Sequence, residues 1–243
     1  MNKTIGIFGG GQLGRMMAQA ALPLNLQCTF FEAETNCPAA ILGSVFSSKN
    51  EQGLQDFIAS ADVFSLEFEN TPVADVDVLT QTKTLHPPRL ALATAQNRLA
   101  EKALFDQLAI PVAPYRAVDS LESLKQAVAE LGLPIVLKTV TGGYDGKGQF
   151  VLRSEDQIDT AWAELGPAKS LIAESFVKFS REVSIIAVRG QDDDVKTWAL
   201  AENHHHNGIL SHSIVPAPNS TDLQPVAQDY ITRLRSEERR VGK

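Results

Sequence analysis

Cysteine is nearly missing from this sequence: Cys28 and Cys37 are the only two in 243 residues. That is too few for a disulfide-stapled secreted scaffold or a cysteine-rich zinc site. Long apolar runs are missing too; none approaches the roughly 20 residues that span a bilayer. Basic residues are the minority, 22 Lys and Arg against 29 Asp and Glu, for a net charge of −7. A nucleic-acid partner needs a basic face, so neither nucleic acid nor membrane is expected among the partners. The opening Met1-Asn2-Lys3-Thr4 runs straight into the strand-like Ile5-Gly6-Ile7-Phe8 rather than into a signal peptide. These absences leave a reduced, cytoplasmic, globular protein as the expected class.

With 44% hydrophobic residues the chain can bury a core, and its length allows one or two domains. Strand and helix signals alternate through the first part: strands at 4–8, 27–31 and 62–68, helices at 12–22 and 51–60. This βαβ rhythm predicts a parallel, doubly wound sheet. Pro87-Pro88 breaks the chain, so the first domain is expected over 1–88, followed by one long alanine-rich helix over 89–108. Beyond it the pattern predicts an α+β module over 89–234. Its helices are expected at 121–131 and 155–165, its strands at 134–138, 149–152, 170–174, 182–188 and 196–201. Asp192-Asp193-Asp194 reads as the turn between the last two strands, and a further helix begins near Ala227.

Gly9-Gly10-Gly11-Gln12-Leu13-Gly14 follows the first strand and opens the first helix, in the G-x-G-x-x-G pattern. Such glycines turn the backbone tightly and leave helix N–H groups for a phosphate. Glu32 closes the second strand, where a ribose-binding acid would sit, so a nicotinamide-binding oxidoreductase is one reading; simple helix–sheet packing or another phosphate is the other. Against the dinucleotide, the alternation stops after about one half of a Rossmann sheet, and a dinucleotide binds across two halves.

The second glycine motif says more. Lys138 ends a strand beside apolar residues, where an ammonium needs an anionic partner. Gly142 to Gly148 then holds four glycines with Asp145 and Lys147. Such a loop can lay several N–H groups on polyphosphate oxygens, with Lys147 adding charge. No Ser or Thr follows Lys147, so this is not a Walker loop. A two-residue hairpin needs about one or two glycines, fewer than are here. Downstream, Glu174 ends a strand, the backbone of Ser175-Phe176-Val177 could pair with an adenine edge, and Glu182 could accept from ribose hydroxyls. In Glu202-Asn203-His204-His205-His206, neighbouring side chains of an extended chain point to alternate sides. A wet loop with one useful histidine is therefore expected rather than a zinc site. Ser65-Leu66-Glu67-Phe68-Glu69-Asn70 places two acids where the third strand leaves the sheet, the edge at which open α/β sheets bind ligands. Cys28, on a buried strand, reads as a small core hydrophobe.

The nine residues from Arg235 to Lys243 form a charge run unlike the rest. One codon choice for them matches a common sequencing-library adapter, so 235–243 is expected to be a non-native tail.

Together, Gly10-Gly11-Gln12-Leu13-Gly14-Arg15-Met16, Glu67-Phe68-Glu69-Asn70, Lys138 with Thr141 to Gln149, and Glu202-Asn203…His205…Gly208-Ile209-Leu210 resemble one family. It is the N5-carboxyaminoimidazole ribonucleotide synthases, ATP-grasp enzymes of purine biosynthesis; the resemblance runs from Ile5 to about Leu234. It implies a Rossmann-like parallel-sheet domain followed by an incomplete α+β ATP-grasp domain that holds ATP between two lobes. Arg98 and Lys138 would contact phosphates. Gly143, Tyr144, Asp145, Gly146, Lys147, Gly148 and Gln149 would form a lid, with Lys138 and Lys147 nearest the chemistry. Glu174, Ser175, Phe176 and Val177 would hold adenine, Glu182 the ribose, and His205 would lie near the nucleotide. Gly11, Gln12, Leu13, Gly14 and Arg15, with Glu67 or Glu69, would face the ribonucleotide. ATP, bicarbonate and aminoimidazole ribonucleotide would be the small-molecule partners, Mg2+ the cofactor and a homodimer the assembly. The family's magnesium-binding acids and an Asn-Glu pair fall beyond the last residue, which implies little or no synthase activity for the chain as given. Another ATP-grasp ligase, of the formate-dependent transformylase or biotin carboxylase type, is the nearest alternative; a catalytically dead binding module is another.

Overall fold

A computed structural model describes residues 3–143, 148–168, 170–206 and 209–238. The polypeptide forms two compact units, Met1–Gln96 and Asn97–Lys243.

The first unit runs β1 (Thr4–Phe8), α1 (Gln12–Ala21), β2 (Gln27–Glu32), β3 (Ser44–Ser47), α2 (Gly53–Ala59), β4 (Val63–Leu66), α3 (Val73–Thr80) and α4 (Arg89–Ala95). The strands lie parallel in the order β3-β2-β1-β4. Such sheets are covered on both faces, and alternation along each strand feeds two cores. Ile7 and Phe30 join Ala18 and Ala21 of α1 on one side. Phe8 and Phe31 point the other way, onto Phe57 of α2. Phe57 is fully buried, with ring centroids 5.1 Å from Phe8, 5.4 Å from Phe31 and 5.1 Å from Phe64. Cys28 is buried in the α1-side core, and burial pushes its thiol pKa up.

The second unit continues with α5 (Arg98–Gln107), β5 (Tyr115–Val118), α6 (Leu121–Leu131), β6 (Ile135–Thr139), β7 (Gln149–Leu152), α7 (Ile158–Leu165) and β8 (Leu171–Ser175). Then come β9 (Glu182–Ser184), β10 (Ala187–Arg189), β11 (Val195–Thr197), β12 (Ala201–His206), β13 (Ile209–Ile214) and α8 (Leu223–Glu238). An antiparallel sheet of order β5-β8-β6-β7 carries Ile135, Leu137, Leu152 and Leu171 on one face, packed on α6 and α7. α6 starts cleanly because Ser120 and Ser123 cap each other's backbone N–H groups. A three-stranded sheet of order β13-β12-β9 and the β10–β11 hairpin complete the unit.

Several expectations need correction. The single helix over 89–108 is two helices: the Asn97 side chain accepts from the Leu99 and Ala100 N–H groups and starts α5 afresh. The strand over 182–188 is two strands, β9 and β10, in different sheets. That over 196–201 ends at Thr197, and β12 begins only at Ala201. The three histidines lie on β12, not in a loop; a bulge between His204 and His205 leaves His204 stacked on His212, centroids 4.6 Å apart. β3, α3 and β5 carried no signal that sequence reading picked up.

Candidate active site

The other face of the antiparallel β5-β8-β6-β7 sheet carries the charge. Register pairs Glu174 on β8 with Val136 on β6 and Tyr115 on β5. Residues opposite one another share a face, and Lys138 lies two along from Val136, so Lys138 and Glu174 meet. Lys138 Nζ donates to Glu174 Oε2 at 3.1 Å. Lys102, from α5, places its Nζ 3.5 Å from the same oxygen. Glu174 is only 9% exposed, and a carboxylate so buried stays charged only if paired.

Arg98 opens the same helix. Its Nη1 donates to the Thr139 carbonyl at 2.8 Å and the Gly142 carbonyl at 2.6 Å. Its backbone N–H donates to the Val140 carbonyl at 3.0 Å. These bonds brace the neck of the glycine-rich turn, where Gly142, Gly143 and Gly148 have φ of 67°, 82° and 72°. Side chains rarely adopt that region, which accounts for glycine at the neck. Gln149 is exposed at the start of β7. Tyr144, Asp145, Gly146 and Lys147 lie outside the described residues. Glu101 sits among these cations: burial raises its carboxyl pKa, against the pull of Lys102, Arg98 and Lys138.

Of the strand-end groups, the Ser175 N–H donates to Pro114 O at 2.8 Å and the Phe176 N–H to Pro134 O at 3.1 Å. Those two N–H groups are therefore engaged within the fold rather than turned to a base edge. Glu182 and His205 come together on the three-stranded sheet, His205 Nδ1 lying 3.7 Å from Glu182 Oε1. Arg181 pairs with Glu202 and donates to the Pro218 and Asn219 carbonyls, which ties β9 to β12 and to the segment before α8.

In the first unit, a pocket of about 270 Å³ opens at the carboxyl ends of the strands. Phe8, Phe31, Glu32, Glu67, Thr71 and Asp75 are among its walls, at the edge where open α/β sheets take ligands. The glycine turn beside it already has its anions. Glu32 accepts from the Gly10 N–H at 3.1 Å and the Ala33 N–H at 2.7 Å. Glu67 accepts from the Gly11 N–H at 2.8 Å. A Cβ on Gly9, Gly11 or Gly14 would come within 2.5, 2.5 and 2.8 Å of the Glu67 carboxylate. Two carboxylates on the N–H groups that would cradle a pyrophosphate repel one, so the nicotinamide reading is not favoured. Gly11 lines the pocket, Gly14 is buried under Glu67, and Gln12, Leu13 and Arg15 are exposed on the first turns of α1. Glu69 is exposed and outside the pocket.

Sequence reading missed Lys102, although it stands four residues after Arg98, which on a helix puts both on one face. It also missed Asp75, whose carboxyl pKa burial raises. Among the described residues, no cluster of three or more His, Cys, Asp or Glu side chains is placed to hold a metal ion, and no helix is long and apolar enough to cross a membrane.

Two family models match: a ribonucleotide synthetase preATP-grasp domain over residues 1–96 and an ATP-grasp domain over residues 103–242. An N5-carboxyaminoimidazole ribonucleotide synthase of Brucella melitensis is 41% identical over 236 residues, covering 95% of this chain and 65% of its own length. The ADP complex of an N5-carboxyaminoimidazole ribonucleotide synthetase superposes with a TM-score of 0.91 at 41% identity, over 98% of this chain and 64% of that one. The Aspergillus clavatus synthase bound to ADP and 5-aminoimidazole ribonucleotide does so with 0.86 at 26% identity, over 97% of this chain and 62% of that one. The chain thus spans less than two-thirds of the length of these relatives, from 62% to 65%. With more than half of its residues inside the matched domain, and with the sheet, glycine turn and paired lysines described above, the chain belongs to the ATP-grasp family and is similar to its N5-carboxyaminoimidazole ribonucleotide synthases.

Proposed function

We propose that the protein binds ATP on the second unit and, at the full length of its relatives, carboxylates 5-aminoimidazole ribonucleotide with bicarbonate. The observation that carries this reading is the buried Glu174 carboxylate shared by Lys138 and Lys102, with Arg98 bracing the glycine turn beside it. Three cations face two carboxylates there, an excess of positive charge suited to polyphosphate. Lys138 and Arg98 would take phosphate oxygens, and the N–H groups of the glycine-rich loop, Gly143 to Gln149, would add donors. The Val177 N–H would meet the adenine edge, while Glu182, steadied by His205, would accept from ribose hydroxyls. In the first unit, Glu67 and Asp75 would meet hydroxyl or amine donors of the ribonucleotide rather than its phosphate, because the pocket walls are acidic.

In the reaction, a bicarbonate oxygen attacks the γ-phosphorus and ADP leaves. The carboxyphosphate so formed breaks to CO2 and phosphate, and the substrate amine attacks CO2 and loses a proton. The cations and loop amides would hold the transferring phosphoryl group by charge and position. Magnesium has no ligand set among the described residues, so no step is assigned to it. A cytoplasmic location and a homodimer belong to the same proposal and rest on the family resemblance.

The test is a substrate panel on the protein extended to its relatives' length. Bicarbonate with aminoimidazole ribonucleotide drives ATP hydrolysis; bicarbonate with biotin, or formate with a ribonucleotide, does not. ATP turnover with formate and not bicarbonate would move the protein to the transformylase type.

A further inference from the structure

Lys102 has no part in the resemblance, yet its ammonium touches the same oxygen as Lys138. We infer that Lys102 is a positioning residue of the nucleotide site: it keeps Glu174 paired and seated, so that Lys138 can leave it for a phosphate. The inference rests on the reading that Lys138 meets a nucleotide phosphate.

Glu174 is the most buried carboxylate among the described residues, and its Oε2 faces Lys138 at 3.1 Å and Lys102 at 3.5 Å. Were Lys138 its only partner, every move of that ammonium toward a phosphate would strand a buried charge, which is strongly unfavourable. A second ammonium on the same oxygen removes the conflict. Lys102 is suited to stay. It rises from the helix that Asn97 caps, is only 15% exposed along its side chain, and lies 6.0 Å from the Tyr115 ring centroid. That ring is itself anchored, because its hydroxyl donates to Asp106 at 2.8 Å. Lys138, by contrast, is 26% exposed and stands at the strand end that leads into the glycine turn.

The test is calorimetric titration of the 243-residue chain with ADP and with adenosine. Lys138→Met is the control: it weakens ADP and leaves adenosine nearly unchanged. Lys102→Met should weaken ADP about tenfold, since Lys138 is then held on Glu174. Two further readouts bear on positioning. Lys102→Arg restores binding. Adding Glu174→Gln to Lys102→Met recovers most of the lost ADP affinity, because the trap for Lys138 is gone. If Glu174→Gln brings no recovery, Lys102 contacts phosphate directly or only packs, and the inference is overturned. If Lys138→Met leaves ADP binding unchanged, or the parent binds no ADP, the nucleotide reading itself fails.

Discussion

Single residues carry two opposite electrostatic designs, one in each unit. In the first, carboxylates hold the glycine turn: Glu67 occupies the space that a Cβ on Gly9 would need, and Gly9 has φ of 104°. Gly9→Ala meets both a strained dihedral and a blocked site, so it should cost about 2 kcal/mol in urea unfolding. In the second, Glu101 is the uncomfortable residue, its carboxyl pKa raised first by burial. The sign follows from which form the fold prefers. A carboxyl pKa raised above its unfolded value favours folding below the unfolded pKa, and that contribution is lost as pH rises through the raised one. Glu101→Gln should therefore melt higher than the parent at pH 7, with the gap closing as pH falls below the ordinary carboxylate range. Removing this negative charge should also tighten ADP. A lower melting point at pH 7 together with weaker ADP would contradict both. Lys102 became visible only in three dimensions. Its helical spacing from Arg98 was in the sequence, but the partner that gives it meaning lies on a strand 72 positions away.

At the scale of elements, legibility followed how much of an element's cause is local. β1, α6 and β7 appear at their expected positions because an apolar run, a serine cap or a flanking glycine turn marks each one nearby. The break between α4 and α5 was hidden by the alanine-rich run around it; the only local sign was Asn97, a good N-cap in the middle of helix-forming sequence. α3, with Val73, Val76 and Val78 between acids, shows no helical stripe and is fixed by packing Val76 and Leu79 against the sheet. The edge strand β3 is four residues long and only half-buried, so nothing in its pattern sets it apart. Since α5 presents Arg98 and Lys102, its start matters to the site. Asn97→Ala should cost about 1 kcal/mol of stability by denaturant titration, and ADP binding should weaken with it; unchanged ADP affinity would mean that α5 need not be fixed at its first turn.

At the scale of the molecule, a βαβ half-sheet followed by an antiparallel module was readable as a change of rhythm: the first unit's strands pair parallel and the second unit's pair antiparallel. The site was only partly readable. The sequence marked Lys138, Glu174 and the glycine turn as parts of one module and the resemblance added Arg98, but only β6–β8 pairing and α5 put Lys138, Glu174 and Lys102 together. Glu182 and His205, far apart in neither pattern nor chemistry, met through the register of β9 and β12. The expectation at this scale is that the 243-residue chain binds adenine nucleotides on its second unit. A calorimetric titration in which the chain takes up no ADP would contradict that expectation.

The most direct measurement is a crystal structure of the chain with ADP. The account predicts phosphate oxygens about 3 Å from Lys138 Nζ, with Glu174 still paired to Lys102. Density for the diphosphate at Gly9–Gly14, beside Glu32 and Glu67, with Lys138 still on Glu174, would contradict it.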